Sequence, residues 1–154
     1  MSQENLASYL ADHLAGSVAG VDLASHLIEA ASDPQSRTFL EQLKKDIEAD
    51  QKQLEEIMAR AEIKQSGFRK AAGWIVEKAS WSKLSAAGAH EGELGWLEGL
   101  EALELGITGK RALWKALALT ELRGDFATLQ KRAEEQIAAV ERFRLRAASA
   151  AIAV

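Results

Sequence analysis

Apolar residues recur every three or four positions along four long stretches of this chain. That spacing places them on one side of an α-helix, so each stretch predicts a long helix with one buried face. The chain has one proline and is rich in Ala, Leu, Glu, Lys and Gln, which lose little side-chain freedom in a helix. No segment reads as a strand. We therefore predict an all-α protein, and its 154 residues fit a single domain, residues 1–154.

Turn signals divide the four helices into two antiparallel hairpins. Pro34 suits the first position of the second helix, and Ser32 or Asp33 can cap that helix. In the second hairpin Gly124 can adopt a left-handed cap, and Asp125 can cap the fourth helix. Between the hairpins we predict a long crossover that contains a short extra helix. The predicted helices are residues 3–31, 34–62, 67–82 in the crossover, 93–122 and 126–150.

Composition excludes several classes of partner and site. Cysteine is absent, so the chain has no disulfide framework, thiol nucleophile or thiolate metal site. Its 19 Lys and Arg residues are interspersed with 23 Asp and Glu residues, and no basic stripe is available for nucleic acid. No apolar run approaches the roughly 18 residues that span a bilayer, and no secretion signal precedes the first helix. We expect a cytoplasmic protein without membrane insertion.

The connectivity and the segment LEALELGITGKRALWKAL, residues 100–117, resemble small uncharacterised bacterial proteins with the ferritin-like four-helix-bundle fold. The resemblance covers nearly the whole chain and implies two helical hairpins joined by a long crossover. Active di-iron members place Glu on two helices and Glu-x-x-His on the other two. This chain has no Glu-x-x-His, and its histidines are His13, His26 and His90. No iron chemistry is expected, and no cofactor is predicted.

One polar cluster is predicted inside the bundle. Asp50 takes a position of the second helix where the spacing requires an apolar residue. A carboxylate buried there needs a partner, because leaving it unpaired costs several kcal/mol. The hairpin turn puts His13 within about 3 Å of Asp50 in height, and the crossover brings three residues of the second hairpin to the same level. The predicted cluster is His13, Asp50, Lys110, Trp114 and Gln136.

This cluster has two interpretations. It is either a ligand or metal site built around His13 and Asp50, or a buried network in which Asp50 pairs with protonated His13 or with Lys110. The network interpretation requires no function beyond fixing how the helices align. Capture of a small apolar molecule between the helices is a third hypothesis, since helical bundles can host such ligands.

Two other sets of residues have structural explanations. Glu98, Glu101 and Glu104 follow one another at a spacing of three, and we expect Glu104 to form a rim ion pair with Arg144. Gly106 and Gly109 precede Lys110, but no strand precedes them, so they do not form a phosphate-binding loop. We instead expect these glycines to permit the close approach of another helix, with the crossover as one candidate, despite a helix penalty of about 1 kcal/mol each.

Trp74 and Trp81 lie seven residues apart on the crossover helix and form a candidate interface. No catalytic constellation is recognisable in the sequence. The sequence therefore favours a bundle that is not an enzyme and acts through protein contacts, as a homodimer. The alternative is a metal-binding or small-ligand-binding bundle, with a redox or metal-handling role, that uses a non-standard site around His13 and Asp50.

Overall fold

The structure, a computed structural model, describes residues 2–63 and 90–153. These residues form α-helices and no strand, which confirms the prediction of an all-α fold. The predicted crossover helix, residues 67–82, lies outside the described residues, and so do Trp74 and Trp81. The described helices are α1 (Ser2–Ala30), α2 (Pro34–Arg60), α3 (Gly92–Leu117) and α4 (Phe126–Ile152).

Side-chain caps begin α2 and α4 as the sequence predicts. The backbone N–H of Ser36 donates to Oδ1 of Asp33 at 2.8 Å, and Pro34 is the first residue of α2. The backbone N–H of Thr128 donates to Oδ1 of Asp125 at 3.2 Å. Each carboxylate satisfies a backbone donor that has no acceptor within the first helical turn. The hydrogen bonds from Ser36 and from Thr128 lower the pKa of Asp33 and of Asp125, respectively.

Gly124 does not adopt the predicted left-handed conformation. Among the described glycines only Gly92 has a positive φ, at 68°. Gly124 instead provides room, because a Cβ at this position would lie 2.9 Å from the ring of Phe126. The glycine is therefore explained by packing at the start of α4.

Helix α3 ends earlier than the sequence suggests, at Leu117 rather than near residue 122. The hydroxyl of Thr120 donates to the carbonyl of Leu117 at 2.6 Å and accepts from the N–H of Leu122 at 3.2 Å. Backbone bonds from Leu119 and Thr120 also reach back three residues instead of four. These local bonds replace the regular helical ones and end the helix.

The four helices pack as a bundle. Helix α1 lies against α2 and α3, and α4 lies against α3 and more sparsely against α2. Leu27 near the end of α1 meets Gly99 near the start of α3, where an added Cβ would lie 2.6 Å from Leu27 Cδ2. Ile57 near the end of α2 lies beside Gly124, beyond the end of α3. Helices α2 and α3 therefore run in the same direction, and residues 63 and 90 lie toward opposite ends of the bundle.

The interior of the bundle is apolar, with three buried polar residues among those described, Ser36, Asp50 and Gln136. Ser36 belongs to the cap of α2, where its hydroxyl donates to Oδ2 of Asp33 at 2.7 Å. Asp50 and Gln136 have no such local role. They lie at mid-height in the core, where a polar residue requires a partner.

Candidate ligand-binding site

Asp50, Lys110 and Gln136 form a closed hydrogen-bonded triad. The Nζ of Lys110 donates to Oδ2 of Asp50 and to Oε1 of Gln136, each at 2.6 Å. The Nε2 of Gln136 donates to the same Oδ2 at 3.1 Å. Asp50 is 2% exposed and Lys110 13%, so the charges face each other with little water between them. The triad links α2, α3 and α4, and it places Asp50 with Lys110 rather than with His13.

Arg132 adds a second cation that the sequence analysis missed. Its Nη2 lies 3.1 Å from Oδ1 of Asp50, close enough for an ion pair. The N–H is not directed at that oxygen, so Oδ1 is buried without accepting a hydrogen bond from any described residue. Arg132 is four residues before Gln136 and therefore shares its face of α4, which is the sequence signal that could have identified it.

Lys110 is held in an environment that disfavours its charge. Burial lowers its pKa below the usual value, while the neighbouring carboxylate of Asp50 opposes that shift. The ammonium group has three N–H donors, and two of them are used by Asp50 and Gln136. No described residue accepts the third.

His13 lies near the triad but does not join it. Its ring makes an edge-to-face contact with Tyr9, with ring centroids 4.7 Å apart. Burial lowers the pKa of His13, and the negative charge of Asp12 only partly opposes this. The neutral form is therefore favoured, and the sequence-based pairing of protonated His13 with Asp50 is wrong. His13 instead lines the cavity described next.

A cavity of about 200 Å³ lies between α1, α2 and α3, and it is open at the surface, where Gly16 and Gly106 on its wall are exposed. Most residues that line it are apolar, and its polar lining includes Asp50 and Lys110 of the triad. The lining residues on α1 run from His13 to Leu23 and those on α3 from Ala102 to Trp114. The cavity therefore extends roughly 15 Å along the bundle. Its polar groups cluster at the end formed by His13, Lys110 and Trp114.

Glycines create much of this space. Gly16 and Gly20 on α1 and Gly106 on α3 all line the cavity. A Cβ added at any of them would meet no described atom within 4 Å. The same is true of Gly109, which does not line the cavity. Helices α1, α2 and α4 do not approach Gly106 or Gly109 closely, whereas the crossover, the other candidate for that contact, lies outside the described residues, so the expectation stays a prediction.

Trp114 lines the cavity and is almost fully buried. The side chain is 1% exposed, and one face stacks on Phe126 with ring centroids 6.5 Å apart. Its Nε1–H is buried and has no hydrogen-bond acceptor among the described residues. An indole N–H can only donate, and a buried donor without a partner costs about 1–3 kcal/mol.

The remaining charged candidates lie at the rim. The Nε of Arg144 lies 2.5 Å from Oε2 of Glu104, which confirms the predicted ion pair. Glu98 contacts Nδ1 of His90 at 3.0 Å, and Glu101 is exposed. Within residues 2–63 and 90–153, no three His, Asp or Glu side chains converge as metal ligands. None of the described helices has an apolar stretch long enough to cross a membrane.

No family model, curated protein or solved structure matches this chain.

Proposed function

We propose that this protein binds a small organic molecule in the cavity between α1, α2 and α3. One observation carries the proposal: a mostly apolar space in the bundle is lined at one end by the polar side chains of His13, Asp50 and Lys110. Functional ligand sites commonly combine an apolar wall with a few polar groups that orient the ligand. An engineered cavity of about 150 Å³ holds benzene, so a space of about 200 Å³ suits a ligand of roughly ten non-hydrogen atoms.

The placement of the glycines supports a ligand-binding site rather than a packing defect. Gly in a helix interior costs about 1 kcal/mol relative to Ala, and Gly16, Gly20 and Gly106 carry this cost without allowing closer contact between described residues. Three such positions on two helices line the same cavity. Their shared effect is to leave the cavity open.

We also infer that the bundle is of the ferritin-like class. The support is the parallel course of α2 and α3, which places residues 63 and 90 toward opposite ends of the bundle. Self-association as a homodimer stays a prediction, because its candidate residues Trp74 and Trp81 lie outside the described residues. A cytoplasmic location stays a prediction as well.

A titration with three small probes tests the proposed function. Ethylbenzene, acetophenone and benzoate are each added to ¹⁵N-labelled protein while the backbone amide signals are followed by NMR. We expect at least one probe to bind saturably and to shift amides of α1 and α3 near Gly16 and Gly106. Absence of saturable binding by all three probes would contradict the proposal.

Paired glycine variants locate the binding. A Gly20→Leu/Gly106→Leu variant fills the open space from both walls, whereas Gly109→Leu adds the same side chain to α3 outside the cavity. We expect the filled variant to lose binding and the Gly109→Leu control to keep it. Equal binding by the filled variant and the control would place the ligand elsewhere and overturn the proposal.

A further inference from the structure

Resting on the proposed function, we infer that the ligand of this cavity is a linear aliphatic molecule, an unbranched chain that lies lengthwise between α1 and α3. The shape of the cavity, rather than any single hydrogen bond, selects such a chain over a compact ring or a branched molecule of the same size. This assigns the chemical class of the ligand and its orientation in the bundle.

The cavity is long for its volume. Its lining residues run from His13 to Leu23 on α1 and from Ala102 to Trp114 on α3, which corresponds to roughly 15 Å along the bundle. Its volume of about 200 Å³ suits a ligand of roughly ten non-hydrogen atoms. An extended chain advances about 1.3 Å per carbon, because its single bonds are about 1.5 Å long, so ten atoms in line cover most of this length. The same atoms in a compact ring system would leave much of the length empty.

The glycines extend this space along both helices. Helices α1 and α3 are antiparallel, and Leu27 of α1 meets Gly99 of α3. Gly20 and Gly106 each lie seven residues from that contact, so they stand at one level on opposite walls of the cavity. Gly16 lines the same cavity about one turn further along α1. The missing side chains therefore leave a trough that follows the helix axes.

The walls of the trough suit an aliphatic chain. Buried aliphatic side chains from α2 and α3 line it, namely Ile47, Leu54, Leu103, Ile107 and Leu113. Each methylene that a ligand buries against them strengthens binding by up to about fourfold. The charged side chains among the described lining residues are Asp50 and Lys110, which pair with each other. A chain that follows the trough therefore contacts apolar groups over most of its length.

Two isomeric alcohols test the inference on the wild-type protein. 1-Octanol and 2-propylpentan-1-ol contain the same atoms, but the second is shorter and wider because its chain divides. In the same NMR titration we expect 1-octanol to bind at least about fivefold more tightly, because the branch takes three carbons out of the line of the trough. A smaller difference would overturn the inference while leaving the proposed function intact, since saturable binding would still be observed. Binding of an aromatic probe without binding of 1-octanol would overturn the inference as well.

A variant that shortens the cavity gives a second test. Ala102 lines the end of the cavity away from Trp114, whereas Ala112 is exposed on α3 and is not among the described residues that line it. We expect Ala102→Phe to weaken the binding of 1-decanol at least about tenfold and that of 1-hexanol less than about threefold, because only the longer chain reaches Ala102.

The Ala112→Phe variant is the control, and it should bind both alcohols as the wild type does. Equal weakening of 1-decanol and 1-hexanol by Ala102→Phe, or no weakening of either, would contradict a chain that lies lengthwise in the cavity. The comparison of the two octanol isomers uses the wild-type protein, so it decides the matter if Ala102→Phe does not fold.

Discussion

The Nζ of Lys110 lies 2.6 Å from Oδ2 of Asp50, and this ion pair joins α3 to α2 across 60 positions of sequence. Gln136 completes the pair from α4, so a single triad ties the two hairpins together. The triad also forms part of the wall of the cavity, because Asp50 and Lys110 both line it. Structural alignment of the helices and the proposed ligand site therefore share the same two residues.

Removing the carboxylate of Asp50 is expected to destabilise the protein strongly. Asp50→Ala leaves the buried ammonium of Lys110 without its counterion, and breaking a buried pair in this way costs about 3–5 kcal/mol. Urea unfolding followed by circular dichroism measures the change in the free energy of unfolding. Glu48→Ala, on the exposed side of α2, is the control and should change that free energy by less than about 0.5 kcal/mol. A loss of under about 1 kcal/mol in Asp50→Ala would contradict the account of the triad.

Replacing the whole triad with apolar residues is expected to be milder than breaking it. In an Asp50→Leu/Lys110→Met/Gln136→Leu variant no buried charge is left unpaired in the triad. Well-packed apolar replacements of buried ion pairs are often neutral or stabilising. We expect this variant to exceed Asp50→Ala by at least about 2 kcal/mol in the free energy of unfolding. If the triple variant were the less stable one, the penalty for burying these charges would be smaller than this account requires.

The burial of His13 predicts a defined pH dependence of stability. Its folded pKa lies below the ordinary value of 6.5, so the unfolded chain binds the proton more readily. As the pH falls through 6.5 toward the folded pKa, protonation therefore favours unfolding and stability declines. His13→Gln removes this contribution, so its unfolding free energy should decline less than that of the wild type over this range.

The same urea titration, repeated between about pH 5 and pH 8, measures the difference between the two proteins. His26 and His90 are exposed and are present in both proteins, so their contributions cancel in the comparison. If the unfolding free energies of the wild type and of His13→Gln changed with pH in parallel, His13 would keep its ordinary pKa in the folded protein.

Glycine substitutions should divide according to the space around each residue. Gly106→Ala and Gly109→Ala meet no described atom within 4 Å, and each should raise the free energy of unfolding by about 0.5–1 kcal/mol through helix propensity. Gly99→Ala places a Cβ 2.6 Å from the buried Leu27 and should destabilise, because overpacking a core costs about 1–3 kcal/mol. Thermal unfolding of the three variants gives their order of stability. Stabilisation by Gly99→Ala, or destabilisation by both of the others, would contradict the packing described here.

The sequence predicts the helices and their first turns well because both depend on local information. Apolar spacing identifies each helix, and Asp33 and Asp125 cap helices through residues only three positions away. The triad was also predictable, since the fixed rise of a helix places Asp50, Lys110 and Gln136 at one height. The end of α3 was missed because the hydroxyl of Thr120 outcompetes the regular helical bonds.

The cavity was not predictable from the pattern alone. Height along the bundle does not determine which neighbour a side chain turns toward, so His13 packs on Tyr9 although it lies near the level of Asp50. The space itself arises where Gly16, Gly20 and Gly106 leave two helices without side chains. A glycine in a helix is equally typical of close packing, and only the three-dimensional structure distinguishes the two.

A crystal structure of the protein with acetophenone tests the central claim most directly. The account predicts density for one molecule between α1, α2 and α3, beside Gly16, Gly20 and Gly106. The same crystals grown from the Gly20→Leu/Gly106→Leu variant should show two leucine side chains in that space and no ligand. A cavity closed by side chains in the wild type, or filled by ordered water while acetophenone is absent, would contradict the claim that this bundle holds a small organic ligand.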